Sequence, residues 1–295
     1  MAIFKGAGVA IVTPMNADCS VNYDKLAELI DYQIDKGTDC IVICGTTGES
    51  STLSEEEHIE VIKAAVSFVK GRIPVVAGTG SNATDTAVYL TKEAEKAGAD
   101  GALLVTPYYN KTTQKGLKAH YSAIAASTDL PLIVYNVPSR TGVNVEAATM
   151  ADLFKSCDNI VGIKEASGNI TQIADLMDLT NGELELYSGN DDQVIPLLSL
   201  GGIGVISVLS NICPADVHEL VTSYLAGDHA RGLAIQLRAM KLIKALFCEV
   251  NPIPVKTAMN LLGYEVGPLR LPLTDMTEQH IELLKAEMKN YGVVR

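Results

Sequence analysis

Four short segments gather residue types that can do chemistry together. Lys164 closes the apolar run Asn159–Ile160–Val161–Gly162–Ile163–Lys164–Glu165. A buried ammonium is costly unless it is paired or deprotonated. Desolvation that lowers its pKa leaves a neutral amine able to attack a carbonyl. Taken alone, the same lysine could equally snorkel to a strand end or pair with Glu165. Tyr135 ends the run Leu132–Ile133–Val134–Tyr135 and can pass protons if its hydroxyl meets the reacting atom. Arg140, in the loop beyond, carries a planar fork suited to a substrate carboxylate. The plain alternative for these two is a core aromatic and a surface arginine. Cys44–Gly45–Thr46–Thr47–Gly48–Glu49–Ser50 offers backbone that can approach a ligand, with hydroxyls and amides for a small carboxylate. It lacks the GK[ST] ending of a phosphate loop. In Thr106–Pro107–Tyr108–Tyr109–Asn110 the adjacent tyrosines point different ways, so one can face a pocket while the other packs elsewhere or reaches another subunit.

The elements that must position these segments alternate along the chain. Candidate strands are Gly8–Val12, Cys40–Cys44, Pro74–Ala77, Ala102–Thr106, Leu132–Asn136, Ile160–Lys164, Glu185–Ser188 and Val205–Val208. Between them lie helix-period segments: Asp24–Lys36, Glu55–Val69, Thr84–Lys96, Gln114–Ala126, Ala147–Lys155, Ile170–Leu179 and Gln193–Leu200. Strands begin roughly every 20 to 35 residues, the length of a βα unit. Eight such units predict a (β/α)8 TIM barrel, whose chemistry sits at the C-terminal ends of the strands. An open doubly wound sheet is disfavoured, because no GxGxxG follows the first strand. Helix-like stretches at 215–226, 230–248, 254–262 and 278–290 follow, punctuated by Asn251–Pro252–Ile253–Pro254 and Gly267–Pro268. The expected division is a catalytic barrel at 1–226 and a C-terminal helical appendage at 227–295.

Other polar features have structural readings. Ser54–Glu55–Glu56–Glu57 predicts a capping box, which makes His58 a first-turn helix residue. Asp191–Asp192 is expected to cap the next helix.

Composition sets the outer limits. The 295 residues include 47% hydrophobic and 20% charged, enough for a sizeable core. Lys+Arg 23 against Asp+Glu 35 leaves a net charge of −12, which argues against a nucleic-acid backbone as partner. No run approaches the roughly 18 apolar residues of a membrane span, and the N-terminal stretch lacks a clear signal-peptide core. A cytoplasmic protein without membrane contact is expected. The six dispersed cysteines include no CxxC pair and read as reduced, mostly buried thiols. The five scattered histidines form no HExxH, so no protein-built metal site is expected.

Taken together, the strand ends resemble the dihydrodipicolinate synthase family, within the superfamily that also holds N-acetylneuraminate lyase. The matching segments are Gly45–Ser50, Val105–Asn110, Tyr135–Gly142 and Gly162–Gly168, and the likeness runs from Phe4–Lys5–Gly6 to Asn251–Pro252–Ile253–Pro254–Val255–Lys256. The resemblance implies a barrel with a C-terminal helical region, assembled as a homotetramer of tight dimers. It implies condensation of pyruvate with L-aspartate 4-semialdehyde, the first committed step of diaminopimelate and lysine synthesis. Lys164 would form the Schiff base with pyruvate, and no cofactor or metal would be needed. Tyr135, Thr46 and Tyr109 would relay protons, Tyr109 coming from the neighbouring subunit. Thr47 and Ile206 would hold pyruvate, Gly189 would join the substrate-binding set, and Arg140 at the mouth would position a carboxylate. A lyase of the N-acetylneuraminate type is the nearest alternative. Such enzymes usually carry serine where Thr46 stands and lack the Ser139–Arg140–Thr141–Gly142 arrangement. A catalytically silent relative would be expected to lose Lys164 or Tyr135, and a metal-dependent aldolase would need a convergent ligand set. Lysine-sensitive relatives bind lysine through positions matching Ser51, Leu53, His58, Asn82 and Tyr108. Here Glu55 stands where sensitive relatives often have histidine, and Thr86 where they have an acid that grips the ligand's amine. Losing that contact should cost about 1.5–3 kcal/mol of binding, so feedback inhibition is expected to be weak or absent.

Overall fold

The computed structural model describes residues 2–293. Its eight strands are β1 (Gly6–Ala10), β2 (Cys40–Ile43), β3 (Val75–Gly78), β4 (Gly101–Val105), β5 (Leu132–Asn136), β6 (Ile160–Glu165), β7 (Glu185–Ser188) and β8 (Gly204–Ser207). All pair in parallel and in chain order, and Gly6↔Gly204 pairing of β1 with β8 closes the barrel. Strands this rich in Val, Ile and Leu suit burial on both faces. Val9, Ile41, Ile43, Leu104, Val134 and Leu186 point outward into the layer beneath the helices. Val42, Val76, Leu103, Ile133, Tyr135 and Ile206 point inward and fill the barrel. Phe4 plugs the N-terminal end, stacked on Tyr187 with ring centroids 4.5 Å apart.

The surrounding helices are α1 (Tyr23–Asp35), α2 (Glu55–Val69), α3 (Thr84–Ala97), α4 (Gln114–Ala125), α5 (Pro138–Thr141), α6 (Ala147–Ser156), α7 (Ile170–Leu179), α8 (Val194–Ser199) and α9 (Pro214–Leu225). The predicted capping box of α2 is present in full: Ser54 accepts from the Glu57 backbone and Glu57 accepts from the Ser54 backbone. Such a cap is worth about 1 kcal/mol. After the barrel come α10 (His229–Leu246), α11 (Ile253–Leu261) and α12 (Glu278–Tyr291).

Three local expectations are corrected. The first strand lies two residues earlier than the apolar run suggests, because the Val12 amide leaves the ladder for the Asn211 side chain, 3.1 Å away. The eighth ends at Ser207, because the next two amides, Val208 and Leu209, both donate to Asp191. Asp191 therefore does not cap α8, whose N-terminus has no side-chain cap; it terminates β8 instead.

Candidate active site

Residues opposite one another in parallel strands share a face, and the register of β6 decides what Lys164 meets. Lys164 pairs with Tyr135 on β5 and Tyr187 on β7, so all three project into the barrel. Its Nζ sits 4.2 Å from the centre of the Tyr135 ring. Glu165 faces the other way with Asn136, whose Nδ2 donates to its carboxylate at 3.1 Å, while the Ser167 amide donates at 2.6 Å. The alternative pairing of Lys164 with Glu165 is therefore not made.

Lys164 is 6% exposed. Burial is the main force on it and holds its pKa down to about 7; Asp191 opposes the fall and Arg140 adds to it. The neutral amine is thus well populated near neutral pH. Burial also pushes the Tyr135 phenol up to about 12, slightly relieved by Arg140, so its proton stays in place until chemistry asks for it. Gly189, at the end of β7, is fixed by sterics. A Cβ there would lie 2.9 Å from the Ala166 Cβ and 3.1 Å from the Lys164 Cε.

The Gly45–Ser50 turn folds over the C-terminal end of β2, its Glu49 amide donating to the Thr46 carbonyl at 3.1 Å. The Thr47 hydroxyl is buried and accepts from Asn251 Nδ2 at 3.0 Å. Arg140 lies on α5, a single turn opened by Pro138 and closed by Gly142 at φ 69°, where the sequence suggested only loop. Its guanidinium donates to the Asn251 carbonyl at 3.4 Å.

These residues meet in a cavity of about 710 Å³ over the C-terminal barrel mouth, lined by Thr46, Thr47, Tyr135, Arg140, Lys164 and Gly189. Ile206 sits on β8 in the barrel interior, in the same core cluster as Tyr135, and does not reach the cavity lining. Tyr109 stands apart. Held at φ 70° and 92% exposed, it does not line the cavity of its own chain. Asn251 lines the cavity and was legible in the sequence only as a turn before a proline.

A second cavity, about 340 Å³, shares Thr46 and Arg140 with the first and is lined by Ser51, Leu53, His58 and Tyr108 with Glu55 and Thr86. His58 is buried, and its Nε2 bonds to the Gly78 carbonyl at 2.7 Å. Burial lowers its pKa, which favours the neutral ring. Asn82 lies outside this lining and instead donates to the Tyr108 carbonyl at 3.2 Å.

Among the described residues, no group of three His, Cys, Asp or Glu side chains is placed to hold a metal ion, and no helix is long and apolar enough to cross a membrane. All six cysteines are free; Cys40, Cys44 and Cys213 are buried.

A model of the dihydrodipicolinate synthetase family matches residues 3–291. A Lachnoclostridium phytofermentans protein named 4-hydroxy-tetrahydrodipicolinate synthase is 60% identical over 294 residues, covering 100% of both chains. The crystal structure of dihydrodipicolinate synthase from Aquifex aeolicus superposes with a TM-score of 0.96 at 46% identity, covering 98% of this chain and 99% of that one. The lysine-bound enzyme from Cyanidioschyzon merolae gives a TM-score of 0.97 at 42% identity, covering 100% of both.

Proposed function

The chain belongs to the dihydrodipicolinate synthetase family, and from that premise we propose that it condenses pyruvate with L-aspartate 4-semialdehyde to 4-hydroxy-tetrahydrodipicolinate. The observation that carries the chemistry is Lys164: a buried amine with its pKa near 7, without its neighbouring carboxylate, on the floor of a cavity beside Tyr135.

In this reading the Lys164 nitrogen adds to the ketone carbon of pyruvate, and loss of water gives an iminium that draws electrons from the adjacent methyl. A methyl proton leaves, the resulting enamine attacks the aldehyde carbon, and the new alkoxide takes a proton. The substrate's own amine then attacks the iminium carbon and displaces Lys164, closing the ring. One water leaves overall. Because the iminium is the electron sink, the sequence needs no metal or organic cofactor. Tyr135 and Thr46 relay protons, with Tyr109 supplied by a second subunit; its exposure outside its own cavity supports that role. Thr47 and Gly189 hold pyruvate and the growing intermediate, Ile206 supports the site from the barrel interior rather than from its lining, and Arg140 at the rim receives the aldehyde's carboxylate. The same reading takes 1–226 as the catalytic barrel, 227–295 as a helical region closing one side of the site, and a cytoplasmic homotetramer of tight dimers as the working form.

Borohydride reduction in the presence of pyruvate tests it. A reduced pyruvyl adduct confined to the Lys164 peptide is the expected result by mass spectrometry. No adduct on a folded protein would defeat the proposal.

A further inference from the structure

The turn that presents Thr46 and Thr47 is anchored from far away in the chain. Glu49 adopts the left-handed conformation, φ 55°, and its side chain is buried. There it meets Lys256 of α11, 207 residues later, with Nζ donating to Oε1 at 2.7 Å. Both side chains are essentially fully buried, at 1% and 0% exposure. The other Lys256 donors go to the carbonyls of Thr13, at 3.3 Å, and Pro268, and the second Glu49 oxygen accepts the Arg270 amide at 2.9 Å. Thr13 in turn donates its hydroxyl to the Gly48 carbonyl at 2.7 Å. Asn251, five residues before Lys256 in the same segment, holds Thr47 and accepts from Arg140.

Replacing a buried ion pair by an apolar pair of similar volume is often neutral or stabilising, so stability alone does not account for a buried pair of this kind. What charge-assisted hydrogen bonds add is direction, because each donor and lone pair has one partner at one angle. Neither Lys256 nor Glu49 lines the cavity, so neither touches substrate. We propose that Lys256, acting through Glu49, is a positioning residue that sets the height of Thr46 and Thr47 over Lys164 and so the affinity for the pyruvate carboxylate. The proposal rests on the reading of Lys164 as the pyruvate-binding amine.

The test compares the full-length protein with K256M and with E49Q/K256M, in which neither side of the pair carries charge and the glutamine oxygen can still accept from Arg270. Thermal melts, steady-state constants for both substrates and the pyruvate dependence of borohydride trapping are measured on each. The expected result is a rise of roughly tenfold or more in the half-saturating pyruvate concentration of both variants, with the aldehyde's KM changed by less than about threefold. A purely structural role would lower the melting temperature and scale kcat with the folded fraction, leaving both KM values alone; that outcome overturns the proposal. Should K256M not fold, E49Q/K256M carries the comparison, and failure of both to fold overturns it as well. Absence of any adduct in the unaltered protein would defeat the proposed reaction and this inference with it. A normal adduct there with unchanged pyruvate dependence in the variants would defeat the inference alone.

Discussion

At the scale of single residues, the proposed chemistry depends on one lysine being kept neutral. Below its pKa Lys164 carries a proton and has no lone pair to offer, and above it the amine is free. With the pKa near 7, the initial rate of pyruvyl adduct formation should rise about tenfold per pH unit below 7 and level off above it. Rapid-quench borohydride trapping across this range checks the shape. A rise that continues toward the ordinary lysine range would mean that burial does not set the amine's charge. Lys164 was visible in the sequence because an ammonium at the end of an apolar strand is an anomaly read locally. Glu49 and Lys256 were not, since each is an ordinary charged residue beside its own neighbours and becomes unusual only when folding brings them together across 207 positions. Asp191 misled for the same reason. Its nearest helix in sequence was α8, but its amide partners lie on the far side of a strand crossing, at Val208 and Leu209.

At the scale of elements, period and punctuation placed nearly every strand and helix, because buried parallel strands and amphipathic helices write their pattern into adjacent residues. The boundaries that moved are those where a side chain from elsewhere intercepts a strand amide, as Asn211 does at Val12. Arg140 gained a helical turn because Pro138 is preorganised for a first helical position and Gly142 for the stop. The cleft between the Gly45–Ser50 turn, α2 and α3 is where the expected lysine regulation is decided. It gathers Ser51, Leu53, His58 and Tyr108 but presents Thr86 rather than an acid, and its Glu55 is exposed to solvent. Lysine should therefore bind there weakly or not at all. Calorimetry on the purified protein is expected to give no micromolar affinity, and finding one would overturn the expectation of weak feedback.

For the whole molecule, the exposed Tyr109 turns the proposed catalytic unit into a pair of chains. Mixing Y109F with K164A chains under conditions of subunit exchange should restore activity, since a hybrid dimer contains one site with both residues intact. Random pairing limits recovery to about a quarter of the unaltered level. Activity no greater than the sum of the two parents would place Tyr109 in its own chain's site. The closed barrel has a further consequence, in the order in which the protein is made. The first strand finds one of its two neighbours only when the eighth has been synthesised, and the turn carrying Thr46 and Thr47 waits longer still, for Asn251 and Lys256. At about 5–20 residues per second, a nascent chain spends seconds with its barrel complete in sequence but its Gly45–Ser50 turn unanchored. Ribosome-bound fragments that end before Asn251 should thus carry Lys164 but no working site, so that the proposed activity arrives only after Asn251 and Lys256 have been made.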